Sequence, residues 1–130
     1  MRIGVDLLNI KRFQKIAEHT RYCTLLFTKA ELDEAEGLGR ERRAERLAGG
    51  FSAKEATCKI LGRGIGQGVR WRDIEVLRDT WGAPKVTLTG GAHEVAERVG
   101  VDQISITISH HGDLVIAVAA ADDRAGGGAS

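Results

Sequence analysis

The sequence predicts an α+β protein built as one domain. Helical spacing of apolar residues dominates up to about Leu61, and period-two alternation dominates after Val69. Elements segregated in this way favour α+β over a doubly wound sheet, in which strands and helices alternate along the chain. A length of 130 residues suits a single core. The expected architecture is an N-terminal strand and helices followed by a mainly antiparallel sheet. The domain is expected over residues 1–121, with a flexible tail over 122–130. That tail, DDRAGGGAS, has too little to bury to offset its ordering entropy.

Arg2 to Leu8 alternates as a strand, with Ile3, Val5 and Leu7 on one face and Gly4, Asp6 and Leu8 on the other. Asn9 caps a helix running to about His19, with Ile10, Phe13 and Ala17 on its buried stripe. Lys11, Arg12, Lys15 and His19 form a basic face opposite. Thr28 and Glu31 have capping-box spacing and start a short second helix. Glu41 to Leu61 reads as a long helix, with a break or close packing at Gly49-Gly50, where each glycine costs about 1 kcal/mol against alanine. Gly62 ends it, and Gly64, Gly66 and Gly68 continue as a mobile loop. Ile74-Glu75-Val76 and Lys85 to Thr89 are strands joined by a turn at Asp79-Thr80-Trp81-Gly82. Gly90 to Gly100 is a helix, and Ile104 to Ser109 and Leu114 to Ala120 are strands.

Composition narrows the function classes. Hydrophobic residues are 42% and charged residues 28% of the chain; 19 basic and 18 acidic side chains leave a net charge of +1. Nucleic-acid binders usually carry a basic excess, so no nucleic-acid partner is expected. No apolar run approaches a membrane span, and the N-terminus does not read as a signal peptide. Two cysteines, Cys23 and Cys58, make no disulfide framework, and a cytoplasmic location is expected.

Three places carry chemistry. With Ala44, Ala48, Phe51 and Cys58 on one apolar stripe, Glu55 falls in its middle, where a carboxylate needs a partner or a cation. The plainer alternative is an ion pair with Lys59, four residues on. Asp6 shares a strand face with Gly4; it is either a strand-end aspartate or, with a second carboxylate, a ligand for a hard divalent cation. Ser109-His110-His111 ends an alternating strand. Adjacent histidines diverge there, and no G-x-S-x-G elbow accompanies the serine, so surface polarity competes with ligand binding. The glycine loop GRGIGQG matches neither G-x-G-x-x-G nor a P-loop, and it follows a helix.

Taken together and in order, Ile3-Gly4-Val5-Asp6, then Phe51-Ser52-Ala53-Lys54-Glu55-Ala56 with Lys59 and Gly62-Arg63-Gly64-Ile65, then Ser105-Ile106-Thr107-Ile108-Ser109-His110, resemble one family. The chain is similar to the small holo-acyl-carrier-protein synthase type of 4′-phosphopantetheinyl transferase over about Arg2 to Ala120. The resemblance implies that family's fold and its reaction: Mg²⁺-dependent transfer of phosphopantetheine from coenzyme A to a serine of an apo acyl carrier protein, in fatty-acid or polyketide biosynthesis, releasing adenosine 3′,5′-bisphosphate. It implies Asp6 and Glu55 as magnesium ligands and Lys59 beside the pyrophosphate, the three making the catalytic set. Lys54, Gly62, Gly64, Ser109, His110 and His111 are implied for coenzyme A, and Lys11, Arg12 and Lys15 for docking the acidic carrier. A homotrimer with active sites between subunits is implied as well. Gly50 stands where arginine is common, and Arg63 is expected to replace the contact. Gly50 and the unusual stretch after His110 support the rival reading, a non-catalytic coenzyme A-binding or assembly module that keeps the fold.

Overall fold

The computed structural model describes residues 1–124; positions 125–130, the greater part of the expected tail, lie outside the described residues. Elements run β1 (Arg2–Asn9), α1 (Ile10–Ala17), α2 (Thr20–Leu26), α3 (Lys29–Ala35), α4 (Arg40–Leu61), β2 (Ile74–Arg78), β3 (Pro84–Leu88), α5 (Gly90–Val99), β4 (Val101–His111) and β5 (Leu114–Asp123). β1, β5 and β4 form an antiparallel sheet in that order, and β2 and β3 form a hairpin. This is the small α+β domain with antiparallel sheets that the sequence pattern predicts.

Helix α4 organises the molecule. It spans 22 residues without interruption, so the glycine pair does not break it. The pair instead allows close packing: a Cβ at Gly49 would lie 3.3 Å from Ile108 Cγ2, and one at Gly50 3.8 Å from Phe27 Cε1. The sheet face beneath is paved with small residues, Ala117, Ala119 and Ala121, opposite Ala53 and Ala56 of the helix. A second cluster gathers Phe13, Phe27, Ala35, Leu47 and Val115. There Phe13 stacks on Phe51 at 5.0 Å and meets Phe27 edge-on at 6.2 Å.

Local signals operate where expected. Asn9 caps α1 by accepting from Arg12 N at 3.0 Å. Thr28 and Glu31 form a reciprocal capping box at the start of α3. Gly62 and Gly100 end α4 and α5 with φ of +70° and +74°.

Two expectations need correction. α1 stops at Ala17, and a separate helix α2 occupies Thr20–Leu26, where no helix is predicted; its N-cap, His19, offers no side-chain bond as a signal. The strand β5 continues through Asp122 and Asp123, which the tail was expected to include. Arg2 Nε holds Asp123 at 3.1 Å, and Arg124 holds Glu97 through two bonds of 2.6 and 2.9 Å, so polar pairing orders what apolar burial does not. The trio Ile3, Val5 and Leu7 shares a face as expected; that face points away from α4 and is 63, 48 and 59% exposed in the single chain.

Candidate active site

The site begins with a missing side chain. Gly4 lets β1 lie against α4 so closely that a Cβ there would stand 2.1 Å from the Ala56 carbonyl oxygen and 3.1 Å from Lys59 Cβ. Two residues on, Asp6 points from the same strand face toward the row Ser52, Glu55, Lys59 of α4, spaced i, i+3, i+7. Ser52 Oγ donates to Asp6 Oδ2 at 2.8 Å. Lys59 Nζ donates to Val5 O at 2.5 Å and stands 4.0 Å from Asp6 Oδ1. The structure therefore brings Asp6, Glu55 and Lys59 together from two elements.

Glu55 is only half-buried, which corrects the stripe drawn from helical periodicity. From Leu47 to Leu61, α4 is buried on nearly every side, and Phe51, Glu55 and Lys59 form its least covered row. The Glu55 carboxyl is nonetheless pushed above the ordinary glutamate range, chiefly by partial desolvation and then by the negative charge of Asp6, with Lys59 opposing. Two carboxylates that repel each other beside one ammonium suit a hard divalent cation. Mg²⁺ in particular is commonly held by one or two carboxylates, substrate phosphates supplying further oxygens. Among the described residues, no three His, Cys, Asp or Glu side chains gather as a metal cluster, so the donor set fits that two-carboxylate pattern and not an all-protein cage.

Lys54 does not join this group. Its side chain is fully buried, and its ammonium donates to Glu31 Oε1 at 2.8 Å, to Trp71 O at 3.1 Å and to Ile74 O. An ammonium has three hydrogens, so none remains for a phosphate. Burial lowers the pKa of Lys54 and the Glu31 charge opposes that shift. Glu31 also accepts from Val76 N at 3.0 Å, which ties α3, α4 and β2 at one buried point. Nearby Cys58 is no nucleophile: burial above all, helped by the Glu55 charge, pushes its thiol up to about 11.

The amides of the two implicated glycines are also engaged. Gly62 N bonds Cys58 O at 2.9 Å, and Gly64 N bonds Gln67 Oε1 at 2.7 Å. Arg63 is exposed and reaches back to Gly62 O at 3.4 Å.

Ser109 and His110 lie apart from Asp6, near the end of β4. They line a pocket of about 250 Å³ together with Arg42, Arg46 and Arg78. Sequence reasoning missed these three arginines, although the i, i+4 spacing of Arg42 and Arg46 in the run RERRAER was a usable signal. Arg78 Nη2 stands 3.9 Å from where a Gly49 Cβ would be, and His110 Nε2 lies 3.7 Å from Glu45 Oε2. His111 is exposed and pairs across the hairpin with Leu114. On α1, Lys11, Arg12 and Lys15 are exposed as expected, with Lys11 Nζ 3.5 Å from Asp113 Oδ2. Ser52 was quoted within the central motif without a role; its place in the Glu55–Lys59 row was the signal.

Residues 2–119 match the 4′-phosphopantetheinyl transferase superfamily. The chain is 43% identical over 123 residues to a holo-[acyl-carrier-protein] synthase from Desulforudis audaxviator, covering 92% of this chain and 90% of that protein. The crystal structure of the Neisseria meningitidis holo-[acyl-carrier-protein] synthase superposes with a TM-score of 0.83 at 28% identity, covering 94% of this chain and 98% of the other. The Helicobacter pylori holo-[acyl-carrier-protein] synthase in complex with coenzyme A gives a TM-score of 0.79 at 26% identity, over 92% of this chain and 99% of the other. With Asp6, Glu55 and Lys59 converging inside a fold shared almost end to end, the chain is a transferase enzyme and belongs to the 4′-phosphopantetheinyl transferase superfamily, among the holo-acyl-carrier-protein synthases.

Proposed function

We propose that the protein transfers 4′-phosphopantetheine from coenzyme A to a serine of an apo acyl carrier protein, with Mg²⁺ required and adenosine 3′,5′-bisphosphate released. The carrying observation is the meeting of Asp6, Glu55 and Lys59 at the Gly4–Ala56 contact. In this reaction the carrier serine oxygen bonds to the phosphorus on the pantetheine side, and its proton passes to water. The anhydride bond to the nucleotide breaks, and its electron pair leaves with the 3′,5′-bisphosphate. Asp6 and Glu55 would hold Mg²⁺, whose contribution is to neutralise charge on the pyrophosphate. Lys59 is exposed enough to exchange its bond to Val5 O for a phosphate oxygen on the leaving side. Lys54 supports the site from behind, and Gly62 and Gly64 shape the loop that follows Lys59.

The nucleotide end fits the pocket of Ser109, His110, Arg42, Arg46 and Arg78, with His111 at its margin. Three guanidiniums there suit phosphate groups and offset the absence of arginine at Gly50 better than Arg63 does. Lys11, Arg12 and Lys15 form the docking face for an acidic carrier. The outward apolar face of Ile3, Val5, Leu7, Leu114 and Ile116 supports self-association, and a homotrimer with coenzyme A between subunits is the assembly we assign. Among the described residues no helix is long and apolar enough to cross a membrane, and we place the enzyme in the cytoplasm.

The test is intact-protein mass spectrometry of apo acyl carrier proteins, one fatty-acid and one polyketide type, incubated with this protein, coenzyme A and Mg²⁺. A phosphopantetheine mass gain that disappears with chelator supports the reading. Coenzyme A binding with no gain on either carrier, while a control transferase modifies both, favours the non-catalytic module.

A further inference from the structure

Two hydroxyls on α4 behave differently. Thr57 Oγ1 donates to Ala53 O, four residues back, at 2.8 Å, the ordinary course for a helical hydroxyl. Ser52 is equally buried, with 0% exposure, but turns out of the helix toward β1. There its Oγ lies 2.8 Å from Asp6 Oδ2 and 3.2 Å from Asp6 O. A serine hydroxyl carries one hydrogen, and the shorter contact to the carboxylate is the stronger because its acceptor is charged. Asp6 therefore has one oxygen clamped from inside the protein. The other, Oδ1, stays on the Lys59 side of the carboxylate, 4.0 Å from Nζ.

We propose that Ser52 is a positioning residue for Asp6. By clamping Oδ2 it holds the carboxylate in one rotamer and leaves Oδ1 on the Lys59 side, so that a divalent cation meets a preset ligand. The inference rests on the reading of Asp6 and Glu55 as the magnesium carboxylates. Ser52 itself touches neither cation nor substrate in this scheme. Partners that orient a ligating side chain commonly change metal affinity without entering the coordination shell. Full burial of Ser52 limits the access of water to its hydroxyl.

The probe is Mn²⁺, followed by electron paramagnetic resonance of the free ion, with coenzyme A present and no carrier, so that no turnover occurs. Ser52→Ala is expected to bind Mn²⁺ about 10–100-fold more weakly than the wild type, as losses of orienting partners usually do. Its turnover is expected to recover when Mg²⁺ is raised to saturation, which a general folding defect would not permit. Because position 52 is fully enclosed, Ser52→Thr and Ser52→Val form a second comparison. They have the same shape, and only threonine keeps the hydroxyl. Tighter Mn²⁺ binding by the threonine variant, at matched melting temperature, supports the clamp. Wild-type affinity in Ser52→Ala, or equal affinity in the threonine and valine variants, overturns it. Asp6→Asn separates the two levels: retained Mn²⁺ affinity there rejects the metal assignment itself, and the clamp with it. Lost affinity in Asp6→Asn beside full affinity in Ser52→Ala rejects the clamp alone.

Discussion

Gly4 and Ala56 are in backbone contact: a side-chain carbon at Gly4 would stand 2.1 Å from the Ala56 carbonyl oxygen. The obstacle is backbone of a buried helix and cannot rotate away. Gly4→Ala must push β1 off α4, carrying Asp6 away from Glu55 and Lys59. The expected cost is about 1–3 kcal/mol of stability, typical of overpacking, with a much larger loss of transfer activity. Urea midpoints and initial rates on the same preparation check this; unaltered turnover in Gly4→Ala would contradict the contact.

Glu55→Gln and Asp6→Asn are expected to abolish transfer while the fold persists. For Glu55 the stability has a defined sign. Its carboxyl titrates above the ordinary value in the folded chain, so ionising it at neutral pH opposes folding. Metal-free Glu55→Gln should therefore be more stable than the wild type at pH 7. The advantage should shrink as pH falls through the raised folded value and vanish below the ordinary glutamate value near 4.5, where both proteins are uncharged at this position. Adding Mg²⁺ to the coenzyme A complex should raise the melting temperature of the wild type further and give the variant no such increment.

Lys54→Met strips the buried Glu31 carboxylate of its counter-charge. Breaking a buried pair from one side typically costs about 3–5 kcal/mol. Adding Glu31→Gln should restore part of that stability. The Michaelis constant for coenzyme A is expected to stay near wild type in the folded single variant, because Lys54 has no hydrogen left for the substrate.

Leu7 and Ile116 face each other across β1 and β5 on the exposed side of the sheet, 59 and 42% exposed. Placing aspartate at either position should convert a three-chain species into single chains by light scattering at neutral pH. Monomeric wild-type protein at assay concentrations would refute the assembly.

Arg12 is exposed on the basic face of α1. Arg12→Ala should raise the Michaelis constant for the carrier about 1.4- to fivefold at low ionic strength, in line with exposed pairs worth about 0.2–1 kcal/mol. The effect should fade as salt is added.

The parts of the fold that were legible in the sequence are those set by neighbours along the chain. Asn9, the Thr28–Glu31 box and the terminal glycines of α4 and α5 act within a turn of themselves, and each marks its boundary. What was hidden depends on partners far away. Gly49-Gly50 stays helical because Ile108 and Phe27 pack onto it, and no local pattern reports that. Helix α2 lacks a capping side chain, so nothing announced its start. At the site, the motif order singled out Asp6, Glu55 and Lys59, which the fold brings together, whereas helical periodicity misplaced Glu55. A one-stripe wheel assumes a helix with one wet face, and α4 is wrapped by sheet and helices on nearly all sides. Lys54, which the resemblance assigned to coenzyme A, proved to be interior.

Lys54 and Glu55 are consecutive, so their side chains leave the helix about 100° apart. The lysine is seated in three fixed acceptors supplied by α3, the Trp71 turn and the start of β2. That seat sets the rotational phase of α4. If the helix rolled by one residue in one sense, the ammonium would face Asp6 and Ala53 would face Ile74 O; in the other sense, the carboxylate would face Ile74 O and Ala56 would face Asp6. The direction in which Glu55 points is therefore set on the far side of its own helix, by a buried charge held in protein acceptors.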